Sequence, residues 1–316
     1  DREEMGIFVA VGREPPDEGD AEPAIAAMAT ARGIDRQALG EAGRALYPPL
    51  FWDEATYHLP YARAYAEAGG LVVAEYLRYP LWQHHMHMLY AACEILGLGA
   101  AGSHLVHYLT YCLFVAVMVR IGQRATGSAN LGILGGALLV SDWRLMSFAG
   151  MTYVDVAVAA FIAASLLLVS RSGSGEGQGG AGLAGLACGL AIGTKTLGVV
   201  AFAALALVLI LRSSPKASLG ASPKPGRWAC LARFAAWALA AGCFWYVRSW
   251  WISGDALHPF GGRGDFLWNA DDLRRQREEL AGLGVGHGWR ALLALPWHFV
   301  KSTEAFTWRP SPVLML

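Results

Sequence analysis

The chain has 316 residues, of which 55% are hydrophobic and only 16% charged, and its 25 basic and 25 acidic side chains leave no formal net charge. A soluble domain carries about a quarter of its residues as charges, so the shortfall points to burial in lipid rather than around one aqueous core. Zero net charge excludes nucleic acid as a partner held by a basic surface.

Twelve Trp and eleven Tyr suit a protein that anchors many helix ends at a lipid–water interface. The five cysteines, Cys93, Cys112, Cys188, Cys230 and Cys243, form no CxxC pair. They read as small core residues, not as a disulfide framework or a zinc site.

Residues 1–45 form a polar N-terminal segment rich in Pro, Gly and Ala, with only a short apolar stretch at 5–11. Residues 46–102 read as an extracytoplasmic acidic loop with interfacial helices. Residues 103–252 read as a transmembrane helical core. Residues 253–316 complete the chain as a second external loop, an interfacial helix and the start of a truncated span. The new apolar run at 312–316 suggests a fragment of a longer protein. The fold class expected is an all-α, polytopic helical bundle.

A spanning helix needs about 20 apolar residues. Four stretches meet that requirement: 103–119, the run from 129 to the polar Ser141-Asp142, 151–170, and 228–252. The stretch 180–211 is too long for one span and carries Lys195 in its middle. A lysine at the bilayer centre costs about 2.5–3.5 kcal/mol on insertion scales. Two short spans turning at Lys195 let its ammonium reach water.

The positive-inside rule supports the same division. With Arg120 and Arg124 in the cytoplasm, two spans place Arg171, Arg212, Lys216, Lys224, Arg227 and Arg233 there as well. Asp53, Glu54, Tyr153, Asp155, Lys195 and Arg248 then share the outer face. The stretch 81–98, interrupted by Gln83, His84, His85, His87 and Glu94, reads as a helix lying on that outer interface. Residues 213–227 read as a flexible cytoplasmic linker, 269–280 as a charged helix, and 289–300 as an interfacial one.

Several polar residues on this face are candidates for chemistry, each with a plainer alternative. Asp53 and Glu54 stand beside Trp52, Tyr57 and His58. A carboxyl near membrane depth among aromatic rings can serve as a general base, or Asp53 can simply cap the following helix. Asp155 enters an otherwise uncharged span, as a functional acid or as a dipole-satisfying N-terminal one. Lys195 and Arg248 either neutralise a phosphate together or snorkel to the interface. His84, His85 and His87, with His104 and His107 on one helix face, are the basis of a second reading. On that reading the chain is a polytopic transporter or a metal-binding membrane protein.

The segments WDEATYHLPYARAYAEAGGL and YLRYPLWQHHMHMLYAACEILG resemble the first extracytoplasmic loop of bacterial GT-C membrane glycosyltransferases. MTYVDVAVAAF, GLACGLAIGTKTLGVVA and WYVRSWWISGDALHPF are similar to later landmarks of the same enzymes. These are the relatives of dolichyl-phosphate-mannose–protein mannosyltransferases and of aminoarabinose–lipid A transferases.

The resemblance implies a GT-C-like enzyme of the bacterial inner membrane, working on its outer face in building the cell envelope. It implies a polyprenyl-phosphate sugar as donor and a glycan, lipid or protein acceptor. It assigns the catalytic base to Asp53, with Glu54 and Asp155 as further catalytic acids. Tyr57, His58, Tyr153, Lys195, Arg248 and His258 become substrate contacts. A divalent cation bridging Asp53 or Asp155 to phosphate is compatible with it. Such enzymes also carry a span ahead of the acidic loop, which residues 1–45 do not supply. In place of the usual Gly-Asn-Pro the chain reads Gly254-Asp255-Ala256.

Overall fold

The computed structural model describes residues 49, 51–172, 180–211 and 226–258, with isolated positions between 274 and 297. The N-terminal segment, nearly all of the 213–227 linker, the final apolar run and most of the stretches at 269–280 and 289–300 lie outside the described residues.

Among the described residues all regular structure is helical. A π-helical turn, Glu54–His58, leads into α1 (Leu59–Ala68), followed by α2 (His85–Ile95) and α3 (Gly99–Thr126). Then come α4 (Ala129–Val140), α5 (Trp143–Ala149) and α6 (Asp155–Ser172). Last are α7 (Gly180–Ile192), α8 (Leu197–Leu211), α9 (Arg227–Gly242) and α10 (Phe244–Ser253).

Helix α3, at 28 residues, is the one described helix long and apolar enough to cross a bilayer alone. It extends well past the expected 103–119 at both ends. The run from 129 gives a helix of only 12 residues. It stops where Asp142 Oδ1 accepts the Leu145 amide at 3.0 Å and caps α5.

Helix α6 begins at Asp155 rather than 151 because the preceding backbone is engaged elsewhere. The Thr152 amide goes to Glu54, and the Tyr153 carbonyl accepts from Tyr90 Oη at 2.8 Å.

The break at Lys195 is present: α7 ends at Ile192 and α8 starts at Leu197. Leu205 and Leu209 of α8 share an apolar cluster with Ala184 and Cys188 of α7, Val169 of α6, and Phe234 and Ala238 of α9. The chain therefore reverses at 193–196. Helices α7 and α9 approach so closely that a Cβ on Gly189 would lie 2.6 Å from the Ala238 carbonyl oxygen. Small residues permitting backbone contact are the usual means of packing helices where lipid removes the hydrophobic drive between them.

The expected single span at 228–252 is instead two helices bent by 52° about Cys243. At Gly242 the helix passes so near Ile192 that a Cβ there would lie 2.7 Å from the Ile192 Cβ. Beyond the bend Tyr246 Oη donates to the Ile192 carbonyl at 3.2 Å.

Between α1 and α2 a second core forms from Tyr61, Tyr65, Met86, Tyr90 and Ala91, closed by Val154 and Ala157 at the start of α6. So α2 lies against protein, burying Met86, His87, Tyr90, Ala91 and Cys93 and exposing Met88 and Leu89. The cysteines divide. Cys93 and Cys188 are buried as expected, whereas Cys112 is exposed and Cys230 and Cys243 are half-buried.

Candidate active site at the acidic loop

The π-helical turn gives one extra residue to a turn and is rare outside functional sites. Here it leaves Glu54 and His58 buried while Asp53 just before it stays half-buried. Asp53 makes no side-chain cap, which removes the plain capping role for its carboxylate.

Glu54 is 1% exposed. Its Oε1 accepts from the Thr152 amide at 2.9 Å, the Thr152 hydroxyl at 2.7 Å, and His104 Nε2. Burial alone would push its carboxyl up, but the hydrogen bonds and charge of His104 and Thr152 prevail and hold it below the usual value. Glu54 thus faces away from solvent and clasps α3 and the 150–154 loop. Its expected catalytic role is met here by a buried carboxylate engaged with His104 and Thr152.

Asp53 faces two phenols. The Tyr57 hydroxyl lies against its carboxylate, and the Tyr153 hydroxyl approaches its backbone. Burial first, and then the charge of Asp53, raise the pKa of both tyrosines, so both phenols stay protonated. His58 points inward instead, its Nδ1 sharing a hydrogen bond with His87 Nε2 at 2.8 Å.

Lys195 Nζ bonds Asp155 Oδ1 at 2.5 Å, with side chains 40% and 56% exposed. The turn carrying Lys195 is docked on the external loop. The His85 amide donates to the Gly193 carbonyl at 3.0 Å, and Thr196 Oγ1 bonds Gln83 Oε1 at 3.2 Å. A Cβ on Gly193 would overlap the His85 ring, so any larger residue there requires the imidazole to move. An apolar groove of about 390 Å³ runs from Asp155 and Leu197 between α6 and α3, past Val158 and Ile162 to Met118.

Arg248 does not join Lys195. Its guanidinium donates to the carbonyls of Val72 at 3.0 Å and Pro80 at 3.2 Å, and it lies 5.9 Å from the Trp245 ring. The expected two-cation clamp is therefore one exposed lysine and one arginine that ties down a loop. His258 is buried in the turn after α10, near Asp255, whose Oδ1 accepts the Leu257 amide at 2.8 Å.

The model of the dolichyl-phosphate-mannose–protein mannosyltransferase family matches residues 95–253. The chain belongs to this family. Mannosyltransferases of this family are GT-C-type integral membrane proteins, which agrees with the resemblance drawn from the motifs.

An uncharacterized protein of Shigella flexneri is 33% identical over 119 residues, covering 37% of this chain and 58% of that protein. A second uncharacterized protein of the same organism is 49% identical over 49 residues, covering 15% and 27%. The chain thus spans little more than half the length of the first of these relatives and about a quarter of the second. No solved structure matches the chain.

Within this mannosyltransferase-family member the histidine triplet does not converge. His84 and His87 join His58, Tyr61 and Tyr65 in the loop core. His85 turns the other way, toward the Leu190 carbonyl at 3.5 Å. Among the described residues no three His, Cys, Asp or Glu side chains gather to hold a metal ion. His84, His85 and His87 therefore do not form a three-ligand metal site.

The roles of four residues were not read from the motifs: His104 and Thr152, which hold Glu54, and Gln83 and Thr196, which dock the lysine turn. Thr152 and Thr196 each sit one position from a candidate residue, which was the available signal.

Proposed function

We propose that the chain is a multi-span membrane glycosyltransferase that moves a sugar from a polyprenyl-phosphate donor to an acceptor hydroxyl, with inversion. The reaction takes place on the extracytoplasmic face of a bacterial inner membrane. The observation that carries this reading is the placement of Asp53. Asp53 is half-buried with the Tyr57 phenol near its carboxylate and the Tyr153 phenol near its backbone, while the acid beside it is tied up in the scaffold.

In the proposed reaction Asp53 takes the proton of the acceptor hydroxyl. The oxygen forms a bond to the anomeric carbon, and the bond from that carbon to the phosphate oxygen breaks. The electron pair leaves with the polyprenyl phosphate. A single base opposite the leaving group is the arrangement that inversion requires, as in inverting glycosidases. Lys195, half-exposed and bonded to Asp155, which lines the apolar groove, suits the growing phosphate charge. The groove suits an isoprenoid chain, and an apolar tail there keeps the phosphate at the water boundary. The helices shorter than α3 serve as the remaining spans, with the Lys195 turn and the acidic loop on the outer side.

Asp53→Asn in the full chain, assayed with labelled polyprenyl-phosphate sugars, tests the reading. The expected result is loss of transfer with an unchanged unfolding temperature. Full transfer by the folded variant overturns it.

A further inference from the structure

The π-helical turn Glu54–His58 is held at both ends by residues far along the chain. Glu54, its first residue, is gripped by His104 and Thr152. His58, its last, bonds His87 of α2, 29 positions away. Tyr57, whose hydroxyl lies against the Asp53 carboxylate, comes between the two grips in sequence. Its ring rests on that of His58, with centroids 4.3 Å apart.

The His58–His87 contact joins two imidazoles edge to edge. His58 Nδ1 and His87 Nε2 are 2.8 Å apart, the ring centroids 4.9 Å, and the planes 24° from parallel. The centroids are farther apart than the nitrogens by nearly the sum of two ring radii. The line between the nitrogens therefore runs in both ring planes, where an N–H and a lone pair meet. Burial keeps both rings neutral, with the pKa of His87 pushed down to about 3. The groups that act on His58 are His87, His107, His84 and Lys195, with no acid among them.

Two neutral imidazoles share such a bond in one of two ways. If His58 donates from Nδ1, the proton of His87 sits on its own Nδ1. That atom is buried and has no hydrogen-bond partner among the described residues. A buried N–H left without an acceptor is costly and rare in folded proteins. If His87 donates from Nε2, its Nδ1 keeps only a lone pair, and the proton of His58 sits on Nε2. His58 Nε2 is not one of the buried atoms left without a partner, so a proton there is not stranded. The second arrangement wins.

We propose that His87 is a positioning residue for sugar transfer. It donates its Nε2–H to His58 Nδ1, fixes the tautomer of that ring, and holds the end of the turn that sets Tyr57 against Asp53. His87 touches no substrate in this role and acts through His58 alone. A hydrogen bond that locks the neighbour of a reacting group keeps that group in one geometry. The inference rests on the transferase reading and deepens it.

Three forms of the full chain test it: the wild type, His87→Leu and His87→Gln. Leucine fills the site without a hydrogen bond, whereas the glutamine amide can still donate. Nitrogen-15-labelled histidine, in protein held in detergent near neutral pH, gives signals that separate protonated from bare ring nitrogens. Those of His58 are found by their loss in His58→Phe. The expected result is a His58 proton on Nε2 and a hydrogen-bonded Nδ1 in the wild type and in His87→Gln. In His87→Leu the Nδ1 signal moves to that of an unbonded nitrogen. A proton on Nδ1 in the wild type, or an Nδ1 signal unmoved by His87→Leu, overturns the proposal.

Transfer from a labelled polyprenyl-phosphate sugar gives the second readout. In His87→Leu kcat is expected to fall about tenfold, the scale of one lost hydrogen bond, with KM nearly unchanged, and in His87→Gln to recover. An unchanged kcat in His87→Leu, equal losses in both variants, or a change in KM alone overturns the positioning role. The nitrogen signals need no substrate. A wild-type chain that transfers nothing therefore overturns the transferase reading while the tautomer is still decided.

Discussion

Glu54 Oε1 receives both the amide and the hydroxyl of Thr152, 98 positions further along the chain, at 2.9 and 2.7 Å. Two pairs of neighbours are thereby locked face to face. Glu54 grips Thr152, while Asp53 meets Tyr153. The acid that is buried orders the acid that is not.

The two adjacent carboxylates are expected to fail differently. Glu54→Ala leaves the His104 nitrogen and the Thr152 amide without their acceptor, at a cost of about 2–4 kcal/mol. Asp53→Asn removes a half-buried carboxylate that makes no cap, so stability should hold while transfer is lost. Thermal unfolding followed by circular dichroism in detergent, beside the transfer assay, distinguishes them. Equal destabilisation by both substitutions contradicts the division.

Acid should loosen the loop core. Burial, with like charge around His58 and His84, pushes protonation of His58, His84 and His87 down, for His87 to about 3. An unfolded histidine binds its proton near pH 6.5. Between those values the unfolded chain holds more protons than the folded one, so stability rises with pH. It is full above about 6.5 and falls as pH drops toward the folded values. Unfolding temperatures from pH 7.5 to 4.5 should decline steadily, and less steeply in His87→Phe. A flat profile in the wild-type chain contradicts this account.

The Lys195–Asp155 pair is exposed, and such pairs contribute about 0–1 kcal/mol. Lys195→Ala should leave the unfolding temperature within a few degrees and raise the KM for the phosphate-bearing donor about tenfold or more. Added salt should weaken donor binding by the wild-type chain and have less effect on the variant. A change in kcat alone, with KM constant, speaks against phosphate contact.

Gly193 and His85 should behave as a coupled pair. Gly193→Ala puts a methyl group into the imidazole ring and pushes the lysine turn off the loop. Activity and stability should both fall. Removing the ring as well, in the Gly193→Ala/His85→Ala double variant, should recover much of the loss, giving a coupling of about 0.5–3 kcal/mol. Additive losses show that the crowding is not what the glycine relieves.

The helical class, the break at Lys195 and the polar character of Asp155 and Lys195 beside it were legible because each leaves a local trace. Apolar runs, a lysine amid them, and the alternation of basic loops are read one segment at a time. The tasks of Glu54 and Arg248 were not legible. Both depend on partners far along the chain, and an acid beside an acid looks the same whether it faces water or a threonine. The bend at Cys243 was hidden for a similar reason, since it follows from how closely Gly242 meets Ile192. Tyr79 carried no sequence signal at all: its left-handed φ of 64° is a property of the backbone, and tyrosine is a poor predictor of it.

Arg248 reaches back 176 positions to the Val72 carbonyl. At roughly 5–20 residues per second, a ribosome needs about 9–35 s to make the intervening chain. Throughout that interval the acidic loop exists without this clamp. The acidic loop is therefore completed only once the much later segment that clamps it has been made. A nascent chain stalled short of α10 should carry Asp53, Glu54 and Asp155 and still be inert.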